Sequence, residues 1–206
     1  FLVGGGEAMT EPLYLAFRKL GVLAESGRSC APGDAQSQGM RLGEGAAYLC
    51  LEKLEFAQAR GATVRAHVIG YGNAFEPPES EAVLVHVSDR AVARAIQLAL
   101  EEAGLDAREI DVVASSLSGI AQFDLAEMTG ITAALGGEVA VAAPKTVFGE
   151  TFGASGAIAM ACALTWFSGA VVAPLVQGVV TERPRHVLVL SVGYYGNASA
   201  LVLRAS

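Results

Sequence analysis

Hydrophobic residues along this chain fall into two textures that take turns: short apolar runs of strand length, and longer segments with apolar positions three and four apart. Helical spacing is clearest after Ser88, where Val92, Ile96, Ala99, Leu100 and Ala103 follow the 3.6-residue period. Ser88 stands at the N-cap position and Gly104-Leu105 supplies the stop. Pro12 to Leu20, Glu52 to Arg60, Asp124 to Leu135 and Gly153 to Phe167 predict further helices, with Gly21 and Gly61 ending the first two. Strands are predicted at Phe1 to Val3, Val64 to Tyr71, Ile110 to Ala114, Val139 to Ala142, Val187 to Leu190 and Ala200 to Leu203. The continuous apolar run Ala46 to Leu51 predicts a strand buried on both faces. Residues 24 to 41 read as loop, and the acidic, proline-containing stretch Phe75 to Glu81 reads as an exposed, mobile one. Strand and helix alternating in this way predict a layered α/β fold. Its strands should be mainly parallel and joined by right-handed crossovers, with the last two antiparallel.

Composition narrows the function classes. A chain of 206 residues, 52% hydrophobic and 17% charged, suits one well-buried core and excludes disorder. The net charge is −7 and the 14 basic residues are scattered, so no footprint for nucleic acid is present. Cys30, Cys50 and Cys162 form no Cys-x-x-Cys spacing and stand near no histidine. They are expected to be buried small hydrophobes in a reducing, cytoplasmic setting, with no metal site. His67, His86 and His186 fall in or beside ordinary strand and loop segments. From Glu150 to Glu182 no charged residue intervenes, but Gly169 and Pro174 interrupt the helical part before the roughly 20 apolar residues that a membrane span requires. A buried helix is the expected outcome, not a membrane segment. Gly4-Gly5-Gly6 lacks the Lys-Ser or Lys-Thr pair of a phosphate loop.

The candidate chemistry gathers at Ala143-Pro144-Lys145-Thr146-Val147-Phe148-Gly149-Glu150-Thr151-Phe152-Gly153-Ala154-Ser155-Gly156, where a strand enters a Gly-rich turn and then a helix of small residues. This segment resembles the lysine-to-histidine loop of β-ketoacyl synthases, members of the thiolase-like superfamily, whose pattern is Lys-Ser-x-x-Gly-His-x-x-Gly-Ala-x-Gly. Lys145, Gly149, Gly153, Ala154 and Gly156 match it, and Glu150 stands at the histidine. Pro32, Asp34, Gly39, Leu42, Gly43, Glu44, Gly45 and Ala46 fit a second family stretch, although Ala31, Gly33, Ser37 and Gln38 replace its charged and aromatic groups. The run from Leu51 to Ala62, with Ala57-x-Ala59-Arg60-Gly61-Ala62, continues the likeness. The resemblance implies a layered α-β-α-β-α sandwich of which this chain supplies mainly the C-terminal half. Residues 1–63 would be the end of the N-terminal half with a connecting segment, and 64–206 the C-terminal half. Phe1 to Ala8 resembles a segment near the middle of a family chain about twice this long, so a further amino-terminal half is expected.

In that family a cysteine on the amino-terminal half is the nucleophile, and two histidines donate hydrogen bonds during decarboxylation and condensation. Aligning the family's His-Gly-Thr-x-Thr-x-x-x-Asp-x-x-Glu on Asp124 and Glu127 puts Ser116 at the first histidine, Leu117 at the glycine and Ser118 at the threonine. Stabilising an oxyanion needs donors held where negative charge develops, and an ionised glutamate only accepts. Ser116, Lys145 and Glu150 therefore occupy the family's catalytic positions without its donors. Glu150 is expected to be a brace paired with Lys145 at the start of the small-residue helix, where dipole and lysine each favour the carboxylate, by about 0.3–1 kcal/mol if it is partly exposed. Ser118, Phe148, Val192 and Tyr194 are candidates for lining an acyl site. The last two lie in Ser191 to Asn197, which resembles the family's Phe-Gly-Phe-Gly-Gly gating loop with Val192 in place of the gating phenylalanine and Tyr195 in place of a glycine.

The resemblance implies no cofactor. It points to a non-catalytic subunit of chain-length-factor type, pairing with an active ketosynthase or with itself and meeting an acyl carrier protein and its acyl or polyketide chain. Two alternatives stand beside it. One is an enzyme of altered acyl-transfer chemistry using Glu150 and Ser116 with a nucleophile from the other half. The other is a structural fragment.

Overall fold

The computed structural model describes every residue except Ser26, Arg28, Glu81, Leu84, Ala173 and Thr181. Glu81, the end of the predicted acidic loop, and Ser26 and Arg28 of the 24–41 loop thus lie outside the described residues. The chain runs β1 (Leu2–Glu7), α1 (Glu11–Lys19), β2 (Gly45–Cys50), α2 (Leu54–Ala59), β3 (Ala66–Phe75) and α3 (Asp89–Ala103). It continues β4 (Val112–Ala114), α4 (Ala121–Leu135), β5 (Ala140–Ala142), α5 (Lys145–Phe148), α6 (Ser155–Phe167), β6 (Leu175–Gln177), β7 (His186–Val192) and β8 (Asn197–Ala205).

Six strands form one sheet in the order β3-β8-β7-β4-β5-β6. β4 is parallel to both β5 and β7, while β3/β8, β7/β8 and β5/β6 are antiparallel. The sheet is thus parallel at its centre with the last two strands antiparallel, as expected, while the antiparallel edges β3 and β6 were not foreseen and β6 is too short to show a period. Both faces are covered, as the unbroken Val/Leu/Ala character of the central strands requires. Val113, Val141, Leu188 and Val202 pack with Val92, Ile96, Leu100 and Ile131 of α3 and α4. Val112, Val187 and Val189 face Ala159, Ala163 and Trp166 of α6 on the other side.

The N-terminus of α3 is capped by Ser88, whose hydroxyl accepts from Ala91 N at 3.1 Å, and Gly104 closes the helix in the left-handed conformation with φ 65°. Helix and sheet come unusually close here. A Cβ on Gly70 or Gly72 of β3 would lie about 2 Å from the carbonyl oxygens of Ala99 or Ala95, so only glycine admits α3 at this spacing.

Helix α6 is the middle layer, packed against β7 and β4 on one side and against β1 and β2 on the other. At 13 residues it is too short to span a bilayer, and no described helix is long and apolar enough to do so. β1 and β2 make a separate antiparallel ribbon, Leu2 opposite Cys50 and Glu7 opposite Gly45. The ribbon corrects two expectations. Residues 45–50 alternate in exposure instead of being buried on both faces, with Tyr48 60% exposed, because this ribbon has helix on one side alone. Cys50, on the outward face, is exposed, and Cys30 and Cys162 are half-buried instead of buried.

Candidate functional site

Two parallel neighbours deliver the site. β4 ends at Ala114 and releases Ser115 and Ser116, and β5 ends at Ala142 one turn before Lys145. Placing two loops at the carboxyl ends of adjacent parallel strands brings residues 29 apart in sequence into contact: the Lys145 ammonium donates to Ser116 Oγ at 3.0 Å. The same ammonium donates to Glu150 Oε2 at 2.7 Å, and both side chains of this ion pair are buried.

Glu150 is saturated. Besides Lys145, its Oε2 accepts from the Tyr194 hydroxyl, and its Oε1 accepts from Phe152 N at 2.8 Å and Ser155 Oγ at 2.9 Å. Its backbone is held as firmly, since Glu150 N donates to Arg41 O at 2.8 Å and Gly43 N donates to Glu150 O at 2.9 Å. Burial pushes the carboxyl pKa upward, but the Lys145 charge and the hydrogen bonds from Lys145, Tyr194 and Ser155 outweigh it, and the net shift is downward. The group is an ionised carboxylate inside the protein. Glu150 is 3% exposed, so the magnitude for a partly exposed carboxylate does not apply to it. Lys145 is its largest support, and Phe152 N and Ser155 Oγ, at the start of the short turn and of α6, add two donors.

The backbone pays for this arrangement at one point. Phe152 has φ +39°, a left-handed conformation that a bulky residue rarely adopts, and its N–H is one of the donors to Glu150. Its ring packs on Phe17 with centroids 4.7 Å apart and meets Tyr194 edge-on at 6.4 Å. Tyr194 also stacks on Phe123 at 5.6 Å. Burial, with Glu150 alongside, raises the phenol pKa far above its ordinary value, so the hydroxyl stays protonated and donates.

Two further carboxyl groups stand under the site. Asp124 takes three backbone donors, Gly33 N (2.8 Å), Ser118 N (2.8 Å) and Gly119 N (2.9 Å), and thereby fixes the loop after β4 against the 29–43 loop. Glu127 accepts from Ser116 N at 2.6 Å, and its complete burial raises its pKa to about 8, so it is a neutral acid at pH 7. Sequence reasoning used this pair to align a motif and missed its physical role. The signal was there: two acids three residues apart share one face of α4, a helix otherwise rich in apolar residues.

Of the expected acyl-site residues, Tyr194 and Val192 join the cluster, Val192 N donating to Ser116 Oγ at 3.3 Å. Ser118 is buried in the Asp124 turn. Phe148 is 46% exposed and lines a cavity of about 10 Å³ with Ser115, Ser116 and Lys145. Chemically the arrangement offers one buried cation, three carboxyl groups and the hydroxyls of Ser116, Ser155 and Tyr194, with neither histidine of the family at the two aligned positions.

Comparison with known proteins agrees with this geometry. Residues 65–178 match the β-ketoacyl synthase C-terminal domain and residues 1–57 the N-terminal domain. The chain superimposes over its whole length on a β-ketoacyl synthase from Burkholderia phymatum, with TM-score 0.89, 28% identity and 54% of that chain covered. It superimposes equally completely on the ishigamide ketosynthase/chain length factor, with TM-score 0.85, 28% identity and 53% covered. The tetracenomycin polyketide synthase ketoacyl synthase beta subunit of Streptomyces glaucescens is 33% identical over 98% of this chain and 54% of its own. The fold is thiolase-like. The chain belongs to the β-ketoacyl synthase family, and it spans about half the length of the curated relatives it matches.

Proposed function

We propose that this chain is part of a non-catalytic ketosynthase-like subunit of chain-length-factor type, which pairs with an active β-ketoacyl synthase and helps shape the space for a growing acyl or polyketide chain. In this reading residues 1–63 close the N-terminal half and 64–206 form the C-terminal half. The partners are a ketosynthase, or a second copy of the subunit, and an acyl carrier protein, and the setting is the cytoplasm. The observation that carries the reading is Glu150: where the family places a hydrogen-bond donor, this chain places an ionised carboxylate consumed by four donors. A negative group there opposes the charge that decarboxylation develops. The likeness to a ketosynthase/chain length factor and to a polyketide beta subunit supports the same reading. The altered-enzyme alternative needs Glu150 free for proton transfer, and its carboxylate is taken up by Lys145 and three further donors.

The experiment supplies malonyl carrier protein and an acyl primer to this protein, to a type II ketosynthase, and to the two together. The expected result is no condensation product from this protein alone, association with the ketosynthase on sedimentation, and a product length set by the pair. Product from this protein alone, above a no-protein control, overturns the proposal.

A further inference from the structure

The donors around Glu150 are held in place by contacts of their own. Lys145 Nζ also donates to Ser116 Oγ at 3.0 Å, and Gly149 N closes α5 by donating to Lys145 O at 2.8 Å. Tyr194 packs against the rings of Phe17, Phe123 and Phe152, and its carbonyl accepts from His86 N at 2.8 Å. Phe152 is stacked on Phe17, and Ser155 opens α6 with its hydroxyl 3.0 Å from Thr151 Oγ1. None of these anchors involves the Glu150 side chain.

The four donors divide evenly, Lys145 and Tyr194 on Oε2 and Phe152 N and Ser155 on Oε1. Two donors on each oxygen match the lone pairs that a carboxylate presents, and the ammonium favours a charged occupant over a neutral one. Donors fixed independently of what they hold make a binding site. Here the occupant is tethered to the chain itself.

We propose that Lys145, Tyr194, Phe152 N and Ser155 form a preformed site for a small carboxylate ligand, which the Glu150 side chain fills as an autoinhibitory contact. The inference deepens the proposed function and rests on it only for one consequence, that no carboxyl-bearing acyl substrate reaches these donors. The site itself belongs to this chain. Its test needs neither a partner nor turnover, so its failure and the failure of the condensation assay are separate results.

Glu150→Ala removes the atoms that an acetate ion carries, and formate, smaller by a methyl group, leaves room beside the new Cβ. Melting temperatures of the wild type, of Glu150→Ala and of Glu150→Ala with Lys145→Met are compared at pH 7 in sodium formate, acetate or chloride, and in chloride with acetamide. Each protein is refolded in the solution tested. A ligand that binds only the folded state stabilises it increasingly as its concentration rises above its dissociation constant. Formate or acetate at about 100 mM is expected to raise the melting temperature of Glu150→Ala by about 5 °C over chloride, while acetamide gives no gain. The wild type, its site already filled, and the double variant, lacking the cation, should show no gain either. No gain of Glu150→Ala over chloride, or a gain of the same size in the wild type or the double variant, overturns the proposal. If Glu150→Ala folds only with formate or acetate present, that recovery supports it. If it folds in none of the solutions, the donors are not held without Glu150 and the proposal falls.

Discussion

Glu150→Gln is expected to lower the melting temperature by roughly 10 °C near pH 7. Glutamine keeps the shape but not the charge, and it presents an NH₂ group to donors where Glu150 presents only acceptors. Lys145 then stands buried without a counter-ion, a situation that costs about 3–5 kcal/mol. For a chain of this size each kcal/mol moves the melting temperature by about 2–4 °C. The loss should vanish in acid. Because the folded-state pKa of Glu150 lies below the ordinary 4.5, its contribution is present above that value and is lost as pH falls through the folded pKa. Adding Lys145→Met should recover part of the stability, since it removes the stranded cation. Turnover of a complex with an active ketosynthase should stay within a few-fold. A loss of about a hundredfold in turnover without a fall in melting temperature would make Glu150 an acid or base instead of a brace.

Glu127→Gln should do the reverse and stabilise the protein as the pH rises. The Glu127 pKa climbs from 4.5 to about 8 on folding, so between those values the folded state holds a proton that the unfolded chain releases. Stability contributed by this residue therefore falls as pH rises from 4.5 toward 8, and above 8 the full penalty remains. At pH 7 the interval from 4.5 amounts to about 3 kcal/mol as an upper limit. Glutamine needs no proton and still offers an oxygen to Ser116 N. Thermal melts of both proteins should nearly coincide at pH 4.5 and separate by several degrees at pH 8, the variant being the more stable. A difference that does not change with pH would show that Glu127 is ionised in the folded protein.

The two predictions mark where sequence was readable and where it was not. Strand and helix order, the Ser88 cap and the Gly104 stop follow from local rules, because each depends on residues a few positions apart. The ribbon of β1 and β2 was misjudged because Ala46 to Leu51 reads as apolar whichever neighbour covers it, and burial on the second face depends on what packs there. β6 has three residues, too few to show a period. At the site, motif spacing placed Ser116, Lys145 and Glu150 together. It gave no hint that Tyr194, 44 residues further on, completes the carboxylate's shell, or that Glu127 is a neutral acid. Those facts belong to tertiary packing, which decides how deeply a charge is buried and which donors reach it.

The loop of residues 29–43 has a consequence for the order in which the protein folds. It contains no helix or strand, yet it bonds to both corners of the site. Gly39 N donates to Gly119 O, Gly33 N to Asp124, and Gly43 N to Glu150 O. Each of these contacts closes some 80 to 107 residues of intervening chain, so none forms cheaply before the sheet has drawn its ends together. The sheet with α3 and α4 packs through its own side chains without this loop, whereas the Glu150 backbone needs Arg41 and Gly43 for two of its bonds. The backbone bonds that tie Glu150 to Arg41 and Gly43 are therefore expected to open with the 29–43 loop, and the amides of that loop should exchange with solvent ahead of those of the central strands.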